Sequence, residues 1–92
     1  MARLFRVMEN CCVNFDVTPK DGKMFTLEEA QAMVGGYVEV VHLNEGKILV
    51  CDEDGRIKQK RVNKNATEAA YKLGYKGHFL VGNILICDDN QL

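Results

Sequence analysis

Apolar and polar residues alternate strictly along Val13-Asn14-Phe15-Asp16-Val17, the period of a half-buried strand. Residues 2–8 mix apolar and basic side chains and read as the strand before it. Pro19, Asp21 and Gly22 then mark a turn. Thr26-Leu27-Glu28-Glu29 has the spacing of a capping box, in which the threonine hydroxyl and the glutamate each satisfy a free backbone amide of the other. A helix follows over 27–34, with Leu27, Ala30 and Val34 on one face. Gly35 ends it, because glycine readily takes the left-handed conformation that closes helices.

Two β-branched runs, 37–43 and 47–51, flank Asn44-Glu45-Gly46, and Asp52-Glu53-Asp54-Gly55 comes after the second. Both connectors place a glycine where a type I turn with a bulge needs positive φ. Residues 56–60 then read as the third strand of a meander. Ala66, Ala69, Ala70 and Leu73 predict a second helix over 64–73, stopped by Gly74. Asn65-Ala66-Thr67-Glu68 resembles a capping box at its start, and Asn63 is the other candidate cap. Residues 79–81 and 84–87 flank Gly82-Asn83 as a closing hairpin, and the polar 88–92 reads as a frayed tail. The sum is one α+β domain over residues 1–92, two-layered, with a mostly antiparallel sheet and two short helices in the order ββαβββαββ.

Composition narrows the function. At 92 residues, 47% hydrophobic and 27% charged, the chain is an ordinary globular domain with a small core, and pairing as a homo-oligomer would help its stability. A net charge of −1 disfavours nucleic acid, whose binders are usually strongly basic. No apolar run approaches a membrane span, and residues 1–8 lack the apolar stretch of a secretion signal. Cys11, Cys12, Cys51 and Cys87 show no C-x-x-C spacing and read as reduced thiols of a cytoplasmic protein.

Catalytic and metal chemistry find little support. Asp52, Asp54 and Gly55 fail the calcium-loop pattern, since glycine falls fourth and Asn63 takes the twelfth place. His42, His78, Cys51 and Cys87 include no close pair of the kind zinc sites carry. No nucleophile motif surrounds any cysteine. The expectation is a protein that is not an enzyme, with no cofactor and no metal.

Binding is better supported. Arg56, Lys58, Lys60, Arg61 and Lys64 lie within nine positions with no acid among them. They lead into the start of the second helix, where free amides favour an anion. Asn63, Asn65 and Thr67 could add hydrogen bonds there. Tyr37, directly after Gly35-Gly36, could offer a ring face to a flat ligand. The competing reading is a solvated edge strand whose lysines block aggregation.

The order of motifs Val34-Gly35-Gly36-Tyr37-Val38-Glu39-Val40-Val41, Leu49-Val50-Cys51-Asp52-Glu53-Asp54-Gly55, Val62-Asn63 with Ala66-Thr67, and Val81-Gly82-Asn83-Ile84-Leu85 resembles a small domain-of-unknown-function family. That family is spread through phages, plasmids and the bacteria that host them. The resemblance covers residues 27–87. It departs where the family often has proline, here Lys64, and aspartate, here Asn83. It implies a phage or mobile-element setting, in which small proteins often act against host defences. They do so by sequestering a nucleotide signal or by blocking a defence protein, as an anti-CRISPR does. A small phosphorylated ligand and a host protein are therefore the two expected partners.

Overall fold

The computed structural model describes residues 2–9 and 11–92. Its elements are β1 (Ala2–Val7), β2 (Cys12–Val17), α1 (Leu27–Val34), β3 (Val38–His42), β4 (Lys47–Asp52), α2 (Lys64–Lys72), β5 (Ile84–Asp88) and a 3-10 turn (Asp89–Gln91). The strands form one sheet in the order β2-β1-β5-β4-β3, antiparallel throughout. The α+β class, the antiparallel pairing and both helices are as the sequence implies.

Alternation along the central strands settles the layers. Ile48 and Val50 of β4, with Leu85 and Cys87 of β5, pack with Ala30 and Val34 of α1. Leu49, Cys51, Ile84 and Ile86 point the other way and pack with Ala66 and Ala70 of α2. One helix therefore covers each face, and the sheet is the middle of three layers rather than one of two. The unbroken apolar runs of β4 and β5 have this cause, since a strand covered on both faces has no polar side. Burying a side chain such as Leu49 or Leu85 fully contributes about 1.5–3 kcal/mol relative to leaving it exposed.

Local signals act as read at several joints. Thr26 Oγ1 accepts from the amide of Glu29 at 3.1 Å, and Glu29 Oε1 accepts from the amide of Thr26 at 2.9 Å. Gly35 closes α1 at φ 82. Gly46 turns β3 into β4 at φ 69 as expected, but Glu45 before it is also left-handed at φ 61, so the connector is not the type I turn with a bulge, and Gly55 takes no positive φ.

Three expectations are corrected. Residues 53–59 form consecutive turns instead of a strand, because β4 already has β3 and β5 as neighbours and offers no open edge. Residues 79–81 do not form a hairpin with β5. Val81 bridges only Val62, and the side chain of Asn83 accepts from the amide of Val7 where β5 enters beside β1. The tail is pinned rather than frayed, with the amide of Phe25 donating to the carbonyl of Gln91 at 2.6 Å and Leu92 packing on the α1-side core. The observed order is ββαββαβ. Among the described residues no helix is long and apolar enough to cross a membrane.

Candidate functional site

The basic segment begins as a knot of turns built on Asp52. Its Oδ1 accepts from the amide of Asp54 at 2.9 Å, and its carbonyl accepts from the amide of Gly55 at 3.0 Å. The amides of Lys58 and Lys60 then return to the carbonyls of Asp54 and Gly55. Ile57 is left at the tip, 82% exposed.

Lys58 and Lys60 turn inward from this knot. Their ammonium groups stand 2.9 and 2.7 Å from Asp52 Oδ2, on a carboxylate whose side chain is 1% exposed. Lys60 also donates to the carbonyl of Val34 at 2.8 Å, and Lys58 to that of Gly35 at 3.4 Å. Helix α1 has no basic residue in its own last turn, so these lysines complete its negative end from outside. Burial opposes ionisation of Asp52, but the two lysines and the Asp54 amide outweigh it and hold its pKa at about 2. An anion placed on Lys58 and Lys60 would face a carboxylate and two carbonyls.

Asn63 and Thr67 are also committed to the fold. The fully buried Asn63 caps α2 by accepting from the amide of Ala66 at 3.1 Å, which settles the choice between it and Asn65. Its amide group donates to the carbonyls of Phe5 and Gly82, both at 2.9 Å. Thr67 donates to the carbonyl of Asn63 and accepts from the amide of Leu80, both at 2.8 Å. Asn65 reaches the carbonyl of Cys12 at 3.5 Å, and Arg61 the carbonyl of Glu9 at 3.1 Å. Lys64 is exposed on the first turn of α2. Tyr37 is 70% exposed beside the junction that Gly35 and Gly36 form.

Arg56 alone of the segment turns to the α2 side. It donates to the carbonyl of Phe79 at 2.6 Å and lies 5.5 Å from the centre of that ring. There it lines a cavity of about 240 Å³ with Glu39, Val41, Cys51, Tyr75 and Leu80. Cys51 Sγ points to Glu39 Oε1 at 3.8 Å. Burial and the neighbouring Glu39 carboxylate push the thiol up to about 11, which keeps it protonated. Tyr75, stacked on Tyr71 with ring centres 5.8 Å apart, is raised chiefly by burial. No ion pair joins Glu39 to Arg56 among the described residues, although both face the cavity. Asp52, already held by its lysines, and Glu53 also line this space, so among the described residues Arg56 is its one cation, beside the free carboxylates of Glu39 and Glu53.

The structure therefore disperses the nine residues singled out in the sequence. Lys58 and Lys60 serve the α1 side, Asn63 and Thr67 the interior, and Arg61 the β1–β2 turn. Glu39, Cys51 and Tyr75 were missed. Glu39 sits in a β-branched run and Tyr75 in a loop, so only their meeting in space marks them. Among the described residues no three of His, Cys, Asp and Glu converge as metal ligands.

No curated protein and no solved structure matches this chain. One family does, over residues 12–91, which takes in both helices, four of the five strands and every residue of the Arg56 cavity. On that match the chain belongs to the family described as domain of unknown function DUF3846.

Proposed function

We propose that this is a non-enzymatic binding protein that captures a small nucleotide-type ligand in the Arg56 cavity. The observation that carries the reading is the unpaired approach of Arg56 and Glu39 to one space. Arg56 supplies donors for phosphate or carbonyl oxygens, and Glu39 accepts from amino or imino groups. At about 240 Å³ the cavity is smaller than the usual range for drug-sized ligands. It suits one ring, with the phosphates left outside. The protonated Cys51 is a poor nucleophile, which favours binding over covalent chemistry. In the phage or mobile-element setting that the sequence resemblance implies, such capture would remove a defence signal.

Thermal shift against a panel of cyclic and linear nucleotides tests this. Ligand at one hundred times its Kd stabilises by about 2.7 kcal/mol. We expect at least one nucleotide to raise the Tm, and Arg56→Ala to erase the rise. A flat response across the panel refutes the reading.

A second reading, inhibition of a host protein through a surface patch, is favoured by Tyr37 and Ile57, 70% and 82% exposed at the end of the sheet where β3 begins. It predicts a stoichiometric partner recovered from host lysate by the wild type and lost with Ile57→Asp. Recovery of no such partner would sink it.

A further inference from the structure

The α1 side of the sheet is only half covered. Helix α1 touches β3, β4 and β5, and along its other flank lie two cavities. One, of about 610 Å³, is lined by Val17, Phe25, Glu28, Ala32 and Met33 near the start of the helix. The other, of about 260 Å³, is lined by Ala32, Gly35, Lys60 and Arg61 at its end. Ala32 belongs to both, so they form one trough running along α1. By the register of β2 on β1, Val13 and Phe15 share this face with Val17 and Leu4. Phe15 is 43% exposed there.

Charge divides along the trough. Asp21, Glu28 and Glu29 oppose the single Lys20 at the first end. Backbone amides keep two of these carboxylates ionised: those of Lys23 and Met24 lower Asp21, and those of Thr26 and Lys20 lower Glu29. Arg61 supplies the free charge at the second end, beside Lys60, whose charge is already met by Asp52. A face that is apolar in the middle and oppositely charged at its ends becomes complementary to itself on a two-fold rotation. A peptide of one charge sign would be repelled from one end or the other.

We propose that this trough is the interface of a homodimer, in which two copies of the chain pack their α1 helices antiparallel. Glu28 of each copy faces Arg61 of the other, and Phe15 and Met33 fill the centre. This leaves the Arg56 cavity, on the opposite face of the sheet, open in both copies.

Sedimentation of the full chain tests the arrangement, with Glu28→Lys and Arg61→Glu as separate variants checked for fold by circular dichroism. The wild type should sediment as a dimer. Each variant should raise the dimer dissociation constant about tenfold or more, because it sets like charges opposite each other. An equimolar mixture of the two variants should restore dimer. In the mixed pair the introduced lysine of one copy meets the introduced glutamate of the other, and the native Glu28 and Arg61 meet at the second contact. Misfolding would not be cured by mixing. A monomeric wild type, variants that dimerise as the wild type does, or a mixture that stays monomeric would each overturn the proposal.

Discussion

Replacing Asp52 with asparagine removes a buried charge while keeping its shape, and the structure sets how large the loss should be. The carboxylate receives Lys58, Lys60 and the Asp54 amide, and its folded pKa of about 2 lies below the ordinary 3.8. That depression corresponds to about 2–3 kcal/mol. The lysines are 43% and 23% exposed, so solvent screening brings the expected loss to about 2 kcal/mol. Because the folded pKa is depressed, this contribution is fully present above pH 4 and disappears as pH falls through 2. Urea unfolding of wild type and Asp52→Asn should therefore differ by about 2 kcal/mol at pH 7, at unchanged m, and converge toward pH 2. A difference below about 0.5 kcal/mol at pH 7, or one that persists undiminished at pH 2, would refute the account of this cluster.

Three other outcomes follow from the same geometry. Asn63→Ala should cost about 3–5 kcal/mol in chemical denaturation, because it strands the carbonyls of Phe5 and Gly82 and uncaps α2; a loss near 1 kcal/mol would mean that water replaces the side chain. Gly36→Ala should destabilise by about 1–3 kcal/mol, since its Cβ would stand 2.7 Å from Asp52 Oδ2, on a side chain with no room to retreat. In thiol labelling of the native protein at pH 8, exposed Cys11 should react first, while Cys51 and Cys87, both raised to about 11, react only on unfolding; early labelling of either buried thiol would contradict the packing described.

Much of the fold was legible where a local rule decides it. The capping box at Thr26, the stop at Gly35 and the positive φ of Gly46 depend on neighbours in sequence, and all three act as read. The layers depend on a signal of another kind. The continuous apolar runs 48–51 and 84–87 require two covered faces, and the polar alternation of β2 had suggested only one. Residues 56–60 follow a glycine connector as the third strand of a meander would, yet pairing needs a free edge, which topology and not the segment controls. The candidate site was less legible still. Charge spacing drew attention to the basic residues, but which of them meets Asp52 and which lines the cavity with Glu39 is fixed by the turns after β4. Lys58 and Lys60 thus became counterions, and Arg56 turned to the cavity beside Glu39.

Strand β5 lies between β1 and β4, so the last of the five strands in chain order is the one that joins the two hairpins. On the ribosome the β1–β2 and β3–β4 pairs each emerge with an unpaired edge, carrying Leu4 and Phe5 on one and Leu49 and Val50 on the other. Those edges stay open until residues 84–88 clear the exit tunnel, which makes the nascent chain a client for chaperones during that interval. A chain lacking this strand would keep two sticky hairpin edges for proteases to find.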